Sequence, residues 1–147
     1  MTFLFKLSFL ILPFFTVLAL PAPPPFPELV KDANYIARVR IHDVNSKNLN
    51  KKTISVSAKA EVLEAYKTPI PMPARLDLAF LVFPDLFGKW LKEAPDEGEY
   101  ILFLINKPVR DAKGTISNTI VLYEPHPFAI YNYSEELENK VRQTLKP

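Results

Sequence analysis

The chain has 147 residues, of which 48% are hydrophobic, so it can form one domain with its own core. Lysine and arginine number 18 against 16 acidic residues, a balance that excludes bulk electrostatic binding to nucleic acid. Cysteine is absent, which excludes disulfides, thiolate metal sites and thiol nucleophiles. The fold must therefore be stabilised by core packing alone.

The first residues have the pattern of a secretory signal peptide. Lys6 is the one charged residue before an apolar run over 7–20, and Val17 and Ala19 suit the −3 and −1 positions of a cleavage site. We predict a signal peptide over residues 1–19, so that the mature chain is secreted or periplasmic and has no transmembrane segment. The alternative is an uncleaved N-terminal anchor.

A proline-rich stretch, PAPPPFP (21–27), follows the predicted signal peptide. Its proline density favours an extended polyproline conformation, and we interpret residues 20–27 as a stiff spacer. The next residues, PELVKDA (27–33), begin with the proline that is common at the first position of a helix, and predict one or two helical turns. The predicted domain spans residues 28–147.

Two alternating segments predict the first two strands. Residues 34–44 alternate between apolar and polar, residues 45–52 form a polar turn, and residues 53–66 alternate again for about twice the usual strand length. A strand of that length would span roughly 46 Å if it were flat. It must therefore bend, and the slip in alternation at Val62 and Leu63 predicts a β-bulge.

The rest of the chain predicts three more strands and two helices, so that the fold is mainly β. In chain order we predict a third strand (74–83), a short helix from Pro84, a central strand (99–105), a hairpin loop (108–118), a fifth strand (119–125) and a C-terminal helix (134–146). The central strand is apolar on both faces, and Ser134 is suited to cap the last helix. Five strands, one of them long and bent, predict an OB-type Greek-key barrel with a short helix after strand three and a C-terminal helix.

Three stretches resemble the TIMP-like, or netrin-like, branch of secreted OB-fold domains. LVKDANYIARVRI (29–41) is similar to that family's first strand, AEVLEAYK (60–67) to the end of its second, and EGEYILFL (97–104) to its turn and central strand. The resemblance covers residues 28–146 and implies an exported barrel that binds a partner. Metalloprotease inhibitors of the family bind the zinc ion of their target through an N-terminal cysteine. This cysteine-free chain cannot do so, and no functional residue is carried over.

Motifs for catalysis are absent from the sequence. It has no Gly-x-Ser-x-Gly elbow, no phosphate-binding glycine loop and no His-x-x-x-His pair, and its two histidines are His42 and His126. We therefore assign no catalytic, metal or cofactor-binding residue and expect no cofactor. The expected function is a non-enzymatic binding or inhibitor-like module, most simply for a protein partner. The alternatives are an extracytoplasmic hydrolase and an OB domain that binds an anionic glycan or an oligonucleotide.

One candidate partner-binding surface is apolar and lies in the segment after strand three. It consists of Leu86, Phe87, Trp90 and Leu91. Tryptophan is enriched at interaction hot spots, so an exposed wedge here would suit a protein partner. The alternative is a lid that packs over one end of the barrel.

A second candidate surface is basic and lies on the first strand and the turn after it. It consists of Arg38, Arg40, Lys47, Lys51 and Lys52. Such a strip would suit an anionic glycan or an anionic lipid surface. The alternative is a solvated outer face whose lysines deter pairing between sheet edges.

Overall fold

The protein is described by a computed structural model that covers residues 24–85, 91–110, 112–124 and 128–147. The predicted signal peptide lies outside these residues, as do most of the predicted short helix after strand three and His126.

The prediction of a mainly β fold is confirmed. The elements in chain order are α1 (Phe26–Asp32), β1 (Tyr35–Asn50), β2 (Thr53–Lys67), β3 (Arg75–Val82), β4 (Gly98–Arg110), β5 (Ile116–Leu122), β6 (Ile130–Asn132) and α2 (Glu135–Leu145). Helix α1 begins at Phe26, so the last two residues of the predicted spacer form its first turn. Neither helix of the described chain is long and apolar enough to span a membrane.

The described strands form one antiparallel sheet in the order β3-β2-β1-β4-β5, and β6 pairs with β4 beside β5. Some Cα atoms of β3 and β5 approach within 8 Å, but no hydrogen-bonded ladder joins these strands in the described residues. The sheet therefore has six strands and is not closed into the predicted five-stranded barrel. Alternation predicts which face of a strand is buried but not which edges pair, and the three-residue β6 is too short for its period to be recognised.

Two segments that we predicted as turns are mostly strand. The polar segment 45–52 continues β1 as far as Asn50, and only Lys51 and Lys52 form the turn. The predicted hairpin loop 108–118 is likewise shortened, because β4 runs to Arg110 and β5 begins at Ile116. Both hairpins extend beyond the core with exposed side chains on both faces. Backbone pairing across the ladder, which leaves no hydrophobic period in the sequence, holds these residues in strands.

The pairing of the long β1–β2 ribbon has four register irregularities, among them a bulge on each strand. Leu63 is the extra residue opposite the Arg38–Val39 step of β1, which confirms the bulge predicted there. The second bulge lies on β1, where Asp43 and Val44 together face a single residue of β2. Asp43 has a φ of 53°, in the left-handed region that aspartate tolerates better than most side chains.

Buried side chains lie on both faces of the sheet, because the strands cover one face among themselves and α1 and α2 cover part of the outer face. As predicted, β3 turns alternate residues inward, and the five residues of β4 from Tyr100 to Leu104 are buried on both faces. Phe26 of α1 packs edge-to-face on Phe103 with ring centroids 5.9 Å apart. Helix α2 buries Val141 completely, and the Ser134 hydroxyl caps the helix by accepting the Leu137 N–H at 3.1 Å.

Candidate binding surfaces

The two arginines of the predicted basic strip are ion-paired on the outer face of the sheet. In the antiparallel register, Arg40 of β1 lies opposite Glu99 of β4. The Glu99 carboxylate accepts a hydrogen bond from Arg38 at 2.6 Å and another from Arg40 at 3.1 Å. The Arg38 guanidinium also stacks on the ring of Tyr133, 3.9 Å from its centroid. Much of the positive charge of this part of the strip is therefore balanced within the fold.

The same charge network attaches helix α2 to the sheet. Glu138 of α2 accepts hydrogen bonds from the Tyr133 hydroxyl at 2.8 Å and from Arg142 at 2.9 Å. Arg142 also donates to Glu64 of β2 at 2.6 Å. The hydrogen bonds from Arg38 and Arg40 lower the pKa of Glu99, and those from Tyr133 and Arg142 lower the pKa of Glu138.

Acid is expected to weaken this network. A carboxyl whose pKa is lower in the folded state contributes stability at pH values above its ordinary pKa, which is 4.5 for glutamate, and that contribution is lost as the pH falls through the folded-state pKa. The midpoint of thermal unfolding should therefore fall below pH 4.5. The fall should be smaller in Glu99→Gln, which cannot titrate at that position. Glu136→Gln is the control, since Glu136 is exposed on α2 and makes no ion pair in the described chain. If Glu99→Gln and Glu136→Gln follow the same pH profile, the network does not contribute to acid sensitivity.

The three lysines of the predicted basic strip lie elsewhere, at the end of the β1–β2 hairpin. Lys47 is seven residues beyond Arg40 along β1, with the Asp43 bulge between them, and Lys51 and Lys52 form the turn. The described hydrogen bonds and ion pairs do not join these lysines to the arginines. The structure thus separates the predicted strip into a paired group under α2 and an exposed group at the hairpin end.

Beside the Asp43 bulge is an open groove of about 590 Å³. The outward-facing residues of β2 and β3 provide its floor, where Ser57 lies opposite Ala79 in the register. The complete lining is Asp43, Val44, Asn45, Ser57, Ala58, Lys59, Asp77, Leu78, Ala79 and Glu97. The groove exists because the bulge displaces β1 where the floor residues are small.

Carboxylates dominate the polar lining of the groove. Asp43, Asp77 and Glu97 supply three carboxylates against the single ammonium of Lys59. Lys59 bonds Asp43 at 2.9 Å, and this hydrogen bond lowers the pKa of Asp43. Glu97 accepts the Asp43 backbone N–H at 2.9 Å, which supports the left-handed residue of the bulge.

The groove was not predicted from the sequence. Alternation did place Lys59 on the outer face of β2, and the same reasoning applies to Asp77 on β3. The register that sets these two residues opposite each other, and the bulge that brings Asp43 beside them, depend on strand pairing. No pattern within a single strand encodes that arrangement.

Of the predicted apolar wedge, only Leu91 lies within the described residues. Its side chain is half-buried and packs against the core. Leu86, Phe87 and Trp90 lie outside the described residues.

Within the part of the chain that the structure describes, no three histidine, aspartate or glutamate side chains converge as metal ligands. Comparison of the sequence with protein-family models and with curated proteins gives no significant match.

Proposed function

We propose that the protein is an exported, non-enzymatic binding module with an OB-type barrel of the TIMP-like or netrin-like kind. The support for this architecture is the strand order β3-β2-β1-β4-β5 with β3 and β5 close together, which is the circular order of an OB barrel opened between these two strands. The bulged first strand and the long bent second strand are what closure of a small barrel requires. The resemblance of the three sequence stretches agrees with this assignment.

The observation that carries the binding function is the position of the groove. OB folds bind their ligands on the outer face of strands two and three, next to the loop between strands one and two. The groove has the same place, on the outer face of β2 and β3 beside the bulge of β1. Its small floor residues, Ser57 and Ala79, leave room for a side chain or a short extended segment.

The charge of the groove selects among the kinds of ligand. Three carboxylates face one lysine in its lining, so phosphate or sulfate groups would be repelled. A protein segment that inserts a lysine or arginine side chain would find carboxylate acceptors at Asp77 and Glu97. The ligand that fits best is therefore a basic segment of a protein partner, rather than an anionic glycan or an oligonucleotide.

Blocking the groove with a cation tests this proposal. Ala79 is exposed on the groove floor, and Ala79→Arg would both fill the space and oppose a basic ligand. Ala65→Arg makes the same change at an exposed position of β2 outside the groove. We expect partner capture from the host's envelope or secreted fraction to fall at least about tenfold for Ala79→Arg and to be unchanged for Ala65→Arg.

Both variants should keep the parent's melting temperature, since surface substitutions typically change stability by less than about 0.5 kcal/mol. Equal capture by parent and Ala79→Arg would contradict the groove as the binding site. A captured partner that is retained equally at high and low salt would contradict the charge argument.

A further inference from the structure

The end of the β1–β2 hairpin carries cations without carboxylate partners. Lys47, Lys51 and Lys52 are exposed, and no hydrogen bond or ion pair engages their side chains in the described chain. No acidic residue occurs in the sequence of the hairpin over residues 44–55. The neighbouring lysine of β2, Lys59, is by contrast ion-paired. The three ammonium groups are therefore left to interact with something outside the fold.

A leucine stands among these lysines. Leu49 is 55% exposed and lies at a register irregularity between the paired residues Asn48 and Asn50. The Asn50 side chain accepts the Lys52 backbone N–H at 2.8 Å, which fixes the turn beside it. All residues from 45 to 52 are exposed, so the hairpin end stands clear of the core. We call residues 47–52 the hairpin tip.

We propose that the hairpin tip docks on an anionic lipid surface, with its lysines among the headgroups and Leu49 at the acyl boundary. Lysine near such a surface gains about fivefold in affinity per residue. A leucine beside the cations distinguishes a bilayer from other polyanions, because a glycan or a free phosphate offers charge but no apolar phase. This inference is independent of the groove, because the groove is acidic and its lining includes none of residues 47–52.

Docking through one leucine and three lysines gives weak, reversible attachment. Even a single myristoyl chain gives only marginal, reversible membrane binding by itself, and one leucine side chain buries far fewer CH₂ groups than such a chain. The tip would therefore concentrate the module at an anionic membrane without fixing it there.

Vesicle co-sedimentation of the full chain, as its host processes it, measures the contribution of charge. The vesicles are phosphatidylcholine alone or with about 30% phosphatidylglycerol, at about 0.05 M salt, where screening is weaker than at physiological ionic strength. Replacing Lys47, Lys51 and Lys52 by glutamine should reduce binding to the anionic vesicles on the order of 100-fold. The control replaces three exposed lysines elsewhere, Lys31, Lys92 and Lys146, by glutamine. It therefore has the same net charge as the variant that lacks the tip lysines. It should bind within about threefold of the parent.

A fluorophore at the tip measures insertion. Because the chain has no cysteine, Leu49→Cys provides a unique site for an environment-sensitive label. The control label is at Ile70→Cys, since Ile70 is 59% exposed and lies beyond the opposite end of β2. Anionic vesicles should shift the emission of the label at position 49 to the blue and leave that at position 70 unchanged.

Two outcomes would overturn the proposal. Equal loss of vesicle binding in the two lysine triples would show that net charge, and not the hairpin tip, drives attachment. Retention on heparin that depends on the tip lysines, with no emission shift at position 49 on anionic vesicles, would identify a site for a soluble polyanion instead.

Discussion

Val56→Asp is expected to destabilise the protein by several kcal/mol, comparable with the whole stability of a small domain. Val56 is 1% exposed on the inner face of β2, opposite Phe80 of β3. A carboxylate there has no partner, because the part of the chain that the structure describes has no buried polar or charged residue nearby to receive it. Urea unfolding followed by circular dichroism measures the change, and a substantial fraction of the variant should be unfolded without denaturant.

The matched variant is Ser57→Asp, one residue further along the same strand. Ser57 is exposed on the outer face, so its replacement should cost less than about 1 kcal/mol. Equal midpoints for the two variants would contradict the assignment of inner and outer faces to β2. Val56→Ala, which removes volume without adding charge, keeps the comparison measurable if Val56→Asp does not fold at all.

Phe103→Ala should cost about 3 to 5 kcal/mol, the usual range for a large aromatic side chain deleted from a core. Phe103 is fully buried on the central strand β4. Its ring contacts Phe26 of α1 at 5.9 Å and Tyr131 of β6 at 5.4 Å between centroids. Its removal leaves a cavity between two elements and the sheet, and chemical denaturation measures the loss.

Phe103→Leu should cost less than Phe103→Ala, because most of the buried volume is kept. A double-mutant cycle that combines Phe103→Ala with Phe26→Ala measures the coupling free energy of the contact with α1. Edge-to-face aromatic pairs contribute about 0.5 to 1.5 kcal/mol. A coupling free energy near zero would mean that α1 is attached to the sheet by other contacts, such as the hydrogen bond from Lys67 to the Val30 carbonyl. In that case the contact between the Phe26 and Phe103 rings would not contribute to the stability of the fold.

The burial of individual strands could be predicted because it is a local property. Alternation along β3 predicted its inner residues, and the apolar stretch of β4 predicted a strand covered on both faces. The slip at Val62 and Leu63 predicted a real bulge, since an extra residue breaks the period of two within one strand. The cap at Ser134 was equally local, because its partner is three residues away.

The exposed hairpin ends could not be recognised as strands from hydrophobic alternation. Residues 45–50 and 107–110 are exposed on both faces, so they have no hydrophobic period and resemble loops. Their conformation is set by hydrogen bonds to a partner strand. Only the pairing of the whole ribbon reveals it.

The candidate sites show the same division. The outward orientation of Arg38 and Arg40 and the exposure of Lys47, Lys51 and Lys52 could be predicted from the sequence, because facing and solvation follow from neighbouring residues. Three features required the folded chain: Glu99 pairs with the arginines, the hairpin lysines have no partner among the described residues, and a bulge lies beside the groove that contains Asp77. These outcomes depend on register between strands distant in the chain, and register is fixed by the packing of the whole sheet rather than by any one segment.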